Sequence, residues 1–193
     1  MLNIVLFSAA LASPPPDAGV SWEEYSSKPV KVECATVSGE PWCRSLGTIE
    51  APIDSVVTAL KDMRHNANLF ESVVQIDIIS DDTLRVVLDY PAPLDDRDYV
   101  ARYVYSTEAT AHLFRWTPVP GAAPEADGVV RLPDFAGEWR LEPTAEGHTR
   151  VRYTWHAAIH GTFPSWGYAT AWKKAGYEAL KDLAGTQGAR LSQ

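Results

Sequence analysis

The stretch PSWGYATAWKKAGYEALKDLA, residues 164–184, decides the reading of this chain. Its opening proline suits a helix start, where the missing N–H has no intrahelical partner to lose. At about 100° per residue, Ala169, Trp172, Gly176, Ala179, Leu180 and Leu183 share one stripe. Thr170, Lys174, Glu178 and Lys181 fall opposite, with Glu178 at ion-pair spacing from both lysines. Gly185 then stops an amphipathic helix of about five turns. Half of the apolar stripe is Ala or Gly, although glycine inside a helix costs about 1 kcal/mol relative to alanine. Such a face serves either very close packing on a sheet or a roof over a hollow. Lys173, inside the stripe, is expected to snorkel towards water.

Upstream of this helix the period is that of strands. Lys31 lies within Val30–Val37, which pairs with Trp42–Ile49 as a hairpin. Pro52 opens a helix with Ile53, Val56, Val57 and Leu60 at core spacing, and Asn66–Glu71 reads as a second short helical turn. A meander follows: Val73–Ile79, Leu84–Tyr90, Arg97–Tyr105, Leu113–Thr117, Val129–Leu132, Glu138–Glu142 and Arg150–Ile159. Trp22–Tyr25 reads as a helical turn, and residues 91–96 and 118–127 as loops. Short links between strands imply an antiparallel sheet, so the fold class is α+β. Only the terminal helix is long enough to cover such a sheet.

Alternation assigns the faces. Val151, Tyr153, Trp155, Ala157 and Ile159 share one side of the last strand, opposite Arg150, Arg152, Thr154, His156 and His160. Trp139 and Leu141 oppose Glu138, Arg140 and Glu142, while Tyr99, Ala101, Tyr103 and Tyr105 oppose Asp98, Val100, Arg102 and Val104. The inward set is rich in Tyr and Trp, whose polar atoms need partners, and is interspersed with alanine. It describes either a ligand cavity or an aromatic core packed solid.

The two cysteines are Cys34 and Cys43. With Ser38-Gly39 as a two-residue turn, Val37 faces Glu40, Thr36 faces Pro41 and Cys34 faces Cys43. Pro41 then needs no ladder N–H, and the cysteines meet at a close, non-hydrogen-bonded pair that can be bridged. A four-residue turn would separate them. The bridge would suit an exported protein. Residues 1–12 carry an apolar run and Ala10-Leu11-Ala12, the small-x-small form of a signal-peptidase site, but no basic start. They read as a signal peptide, which places the chain in the periplasm or outside the cell; an apolar leader on a cytoplasmic protein is the alternative. Residues 13–21 read as a proline-rich linker, 22–185 as one domain and 186–193 as a flexible tail.

A net charge of −8 across 193 residues argues against a nucleic-acid partner, and the 46% hydrophobic content with seven Trp argues for a packed domain. The sequence holds no nucleophile elbow, phosphate loop or zinc motif, and no catalytic residue, cofactor or metal is assigned. His156 and His160 would stand about 13 Å apart on a strand, too far to share a metal. Asp95, Asp96 and Asp98 read as a solvated turn with a local contact to Arg97.

Pro93-Leu94-Asp95-Asp96-Arg97-Asp98-Tyr99-Val100 resembles the proline, Arg-Asp and aromatic signature of START domains, lipid-transfer modules of the helix-grip, or Bet v 1-like, superfamily. Gly128-Val129-Val130-Arg131 is similar to that family's next strand, and Trp139, Gly147, Thr149, Val151 and Tyr153 to its late strands. Gly161-Thr162-Phe163-Pro164 is similar to its Gly-x-x-Pro lead into the closing helix. The resemblance implies a curved antiparallel sheet gripping the terminal helix around a lipid-sized tunnel, gated by that helix and a loop at residues 106–111. Two departures stand out: Ile159-His160 replaces a frequent Asp-Pro, and Tyr103 falls near the charged position of some sterol binders.

The expected function is therefore binding, with or without transfer, of a lipid or other hydrophobic small molecule, with transient contact at a membrane. A cyclase-type enzyme and an interaction domain with a filled core are the other readings. The expected ligand-binding residues are Tyr99, Ala101, Tyr103, Trp139, Tyr153, Trp155, Ala169, Trp172 and Gly176. Arg97 and Asp98 are expected to hold structure.

Overall fold

The computed structural model describes residues 19–65, 67–90, 94–157 and 168–193. The leader, most of the linker, the Gly-x-x-Pro segment, His160 and the start of the closing helix lie outside the described residues, as does the side chain of Ala169. Eleven strands form one sheet: β1 (Glu23–Ser26), β2 (Lys31–Val37), β3 (Glu40–Ile49), β4 (Val73–Ile78), β5 (Thr83–Leu88), β6 (Asp96–Glu108), β7 (Ala111–Pro118), β8 (Val129–Arg131), β9 (Phe135–Pro143), β10 (Thr149–Ala157) and β11 (Leu191–Ser192). Among the described residues the helices are α1 (Ile53–Asp62) and α2 (Tyr168–Gly185), with two 3-10 turns, Met63–His65 and Ala67–Leu69, after α1. The main path runs β1-β2-β3-β10-β9-β7-β6-β5-β4. This is the α+β helix-grip architecture expected.

The β2–β3 hairpin has the register read from Ser38-Gly39, with Val37 facing Glu40 and Cys34 facing Cys43. Ser38 and Gly39 both take positive φ, 55° and 88°, as a turn matched to strand twist requires. Cys34 and Cys43 are joined by a disulfide at a Cα separation of 4.0 Å. Pro52 precedes α1, which buries Val56, Val57 and Leu60.

Four expectations need correction. Trp22–Tyr25 is not helical: Glu23 and Glu24 pair with Cys34 and Glu33, because the outer edge of β2 offers a ladder that a lone helical turn cannot match. Residues 106–111 are not an open loop. Ser106, Thr107 and Glu108 pair with Leu113, His112 and Ala111, so β6 and β7 run on to a tight turn. The sheet is not wholly antiparallel, since β8 lies parallel to the start of β6, with Arg97 beside Val130 and Asp98 beside Arg131. The tail is also tied down: Leu191 and Ser192 pair with Ile49 and Thr48, and Glu50 N–H donates to the Arg190 carbonyl at 3.0 Å.

α2 crosses the concave face at β3. A Cβ on Gly47 would stand 3.1 Å from the Leu180 side chain. Leu180 and Leu183 are fully buried there with Val30, Val32, Ile49, Leu141 and Val151. At about 25 cal/mol per Å² of apolar area removed from water, this cluster fastens the helix.

Candidate ligand cavity

Beyond that contact α2 and the sheet diverge, and the space between them is a cavity of about 410 Å³. Tyr99 and Tyr103 reach it from β6, Trp116 from β7, Phe135 and Trp139 from β9, and Tyr153 and Trp155 from β10. α2 contributes Ala171, Trp172, Ala175, Glu178 and Ala179, while Met63, Ala67 and Phe70 close the side beneath α1. Val86, Leu88, Tyr90, Leu94 and Leu132 complete an apolar wall. A smaller hollow of about 190 Å³ shares Met63, Tyr103, Trp116 and Trp139 with it, and Leu60, Lys61, Arg64 and Leu84 also bound that hollow.

The aromatic rings form a connected wall. Trp139 and Trp155 flank Tyr153 with centroids 4.2 and 4.7 Å away, and Trp116 stacks on both Tyr153 at 5.8 Å and Tyr103 at 6.1 Å. Phe70 continues the stack from Trp139 at 5.8 Å. Such contacts hold large side chains in one arrangement, so the cavity keeps its shape without being filled.

Besides its phenols and indoles, the lining includes Ser72, Asp89, His156, Lys174, Glu178 and Asp182. The Tyr99 and Tyr103 hydroxyls lie 3.1 Å apart. Burial pushes the phenols of Tyr99, Tyr103 and Tyr153 above their ordinary range, with the neighbouring Tyr99 adding to the effect at Tyr103 and Tyr153. They are therefore neutral hydrogen-bonding groups at physiological pH rather than bases. Glu178 brings a carboxylate to the wall, its Oε1 3.6 Å from Lys174 Nζ.

Of the residues anticipated from sequence, Tyr99, Tyr103, Trp139, Tyr153, Trp155 and Trp172 line the cavity. Ala101 is on the same strand face but fully buried outside it. Gly176 does not lie over the hollow: a Cβ there would meet Ser45 Oγ at 2.3 Å and the Trp155 ring at 2.6 Å. It marks close packing, and α2 borders the cavity instead with Trp172 and Ala179 of the stripe and with Ala171, Ala175 and Glu178 beside them. Tyr105 is 40% exposed, its hydroxyl 2.7 Å from His112 Nδ1. Trp116 was not anticipated, although one signal existed. Gly137 interrupts a strand pattern, and a Cβ there would stand 2.0 Å from the Trp116 ring it faces across β7–β9.

Behind the cavity, Asp98 is not part of a solvated turn. It is 1% exposed and accepts hydrogen bonds from Arg85 Nε at 2.5 Å and from Arg131 Nε and Nη2 at 2.6 and 3.0 Å. Burial alone would raise its pKa, but the hydrogen bonds from Arg131 and Arg85 outweigh it and hold the carboxyl below its usual value. Arg131 also donates to the Ala123 and Pro124 carbonyls, pinning the 118–127 loop to β6. Arg97 is equally buried and lies over the ring of Tyr90, 4.5 Å from its centroid, while donating to the Asp95 carbonyl.

Residues 47–186 match the family described as polyketide cyclase/dehydrase and lipid transport. The chain belongs to that family. A StAR-related lipid transfer protein from Xanthomonas axonopodis has a similar structure, with 26% identity, a TM-score of 0.74 and coverage of 87% of this chain and 98% of its own. An uncharacterized protein of Pseudomonas aeruginosa is 26% identical over 144 residues, 71% of each chain. Human StAR-related lipid transfer protein 5 shares the fold at 17% identity and a TM-score of 0.72, over 88% of this chain and 86% of its own. This member of the family thus has the START form of the helix-grip fold.

Proposed function

We propose that the chain binds a lipid or other hydrophobic small molecule in the 410 Å³ cavity and carries it in an oxidising compartment. The cavity carries the reading: its size falls in the range of small-molecule sites, its walls are aromatic and aliphatic, and a few polar groups converge on it. Each 100 Å² of apolar ligand surface taken from water there contributes about 2.5 kcal/mol. The neutral phenols and Glu178 give a polar head something to orient against. The Cys34–Cys43 disulfide supports an exported location, since such bonds persist in oxidising compartments. Transient contact with a membrane follows as the step that loads the ligand.

The test is organic extraction of purified protein followed by mass spectrometry, paired with uptake of a fluorescent lipid by the delipidated chain. A stoichiometric hydrophobic molecule, or saturable uptake at one site per chain, is expected. Neither bound molecule nor uptake would leave the interaction-domain reading in its place.

A further inference from the structure

On the sheet face opposite Trp155, side chains from β3, β10 and the bend just before β9 converge, and His156 among them also borders the cavity. His156 on β10 is paired with Trp42 on β3 and Ala136 on β9. Glu40 at the start of β3 and Asp134 in the bend just before β9 each lie two residues from those partners, towards the same end. They are diagonal neighbours of His156 from either side. Nothing in their sequence spacing would group them.

His156 Nε2 lies 3.8 Å from a Glu40 carboxylate oxygen and 3.7 Å from one of Asp134, and one ligand atom from each residue falls within 4.8 Å of the other two. The imidazole is only 5% exposed and lies 5.4 Å from the Trp42 ring. Its Nδ1–H donates to the Pro41 carbonyl at 3.0 Å, so Nε2 is the ring atom turned towards the carboxylates. Nε2 is buried without a hydrogen-bond partner and faces two carboxylates. A backbone carbonyl that fixes the tautomer and turns the other nitrogen outward is the usual support of a metal-binding histidine.

We propose that Glu40, Asp134 and His156 bind a divalent transition cation of the zinc type. Bonds of about 2.0–2.2 Å to a tetrahedral ion place the ligand atoms about 3.3–3.6 Å from one another. The observed spacing is slightly wider, and Glu40 and Asp134, 51% and 60% exposed, are free of packing that would stop them closing inward. The nitrogen donor favours zinc-like ions over calcium or magnesium, which take oxygen. Three protein ligands leave one position for water. A bound ion would clamp the ends of β3, β9 and β10 where β10 leads into residues 158–167.

The test uses the full chain without an affinity tag, stripped with EDTA and titrated calorimetrically with Zn²⁺ in a non-coordinating buffer. One ion per chain is expected, with affinity falling at least tenfold in the Glu40→Gln/Asp134→Asn double variant and in His156→Gln. The double variant alters exposed side chains and should keep the wild-type melting temperature without metal, so lost binding reports the site rather than the fold. Co²⁺ should give the visible absorption of a four- or five-coordinate ion in wild type alone. Absence of stoichiometric binding, or binding undiminished in the double variant, overturns the proposal. So does pH-dependent stability with no response to Zn²⁺, the behaviour of a plain histidine–carboxylate ion pair.

Discussion

Gly176 of α2 and Trp155 of β10 are packed against each other: a Cβ on the glycine would stand 2.6 Å from Cη2 of the indole. The Ser45 hydroxyl closes the other side at 2.3 Å. Alanine is the better helix former by about 1 kcal/mol, yet here the added methyl must displace a rigid ring in a packed layer. Gly176→Ala is therefore expected to lower the denaturation midpoint, and Gly176→Leu to cost at least the upper end of the usual 1–3 kcal/mol for overpacking. Urea titration of both variants checks it. A rise in stability for either would mean that α2 stands off the sheet.

The hollow lies beside that contact, and filling it should affect binding before folding. Ala179 lines the cavity from α2 and is only partly buried. Ala179→Phe is expected to keep stability within about 1.5 kcal/mol of wild type, because the ring enters empty space rather than a packed layer. Uptake of the fluorescent lipid should fall severalfold. Unchanged uptake with a large stability loss would show that the space is not the ligand's.

Tyr103 tests the polar handle. Removing its hydroxyl leaves the stack on Trp116 but separates the pair with Tyr99. Tyr103→Phe should weaken binding of a ligand with a polar head by about 0.5–1.5 kcal/mol and leave a purely apolar probe unaffected. Equal effects on the two probes would contradict an orienting role.

Asp98 is the anchor between β5, β6 and β8. Asp98→Asn leaves Arg85 and Arg131 without a buried counter-charge, a change that costs about 3–5 kcal/mol in comparable sites. Ligand affinity of the folded fraction should hold. Because its folded pKa is depressed, Asp98 contributes stability that is complete above its unfolded value, near 4, and lost as pH falls through the folded value. The wild-type loss of stability below about pH 4 should thus be shallower in the variant. A large affinity loss at unchanged melting temperature would assign Asp98 to the ligand instead.

Cys34 and Cys43 close a loop of about ten residues, so the bridge should contribute about 2–3 kcal/mol. Thiol titration of protein from an exporting host, denatured without reductant, should find no free thiol. Two per chain would remove the bridge and with it one support for an oxidising compartment.

Period and turn chemistry were enough to locate most strands, the β2–β3 register and the disulfide, because alternation and a two-residue turn act over a few residues. They also placed Tyr99, Tyr103, Trp139, Tyr153 and Trp155 on the concave face. Which part of that face is hollow depended on where α2 makes contact. Within the apolar stripe of α2, Gly176, Leu180 and Leu183 became the contact, while Trp172 and Ala179 joined Ala171, Ala175 and Glu178 in lining the cavity. A helical stripe identifies which residues face the sheet, and packing decides which of them touch it and which border a hollow. The partners of Asp98, the Trp116–Gly137 contact and the Glu40–Asp134–His156 cluster come from strands far apart in sequence. Strand pairing sets those distances, and no local pattern encodes which strands will be neighbours.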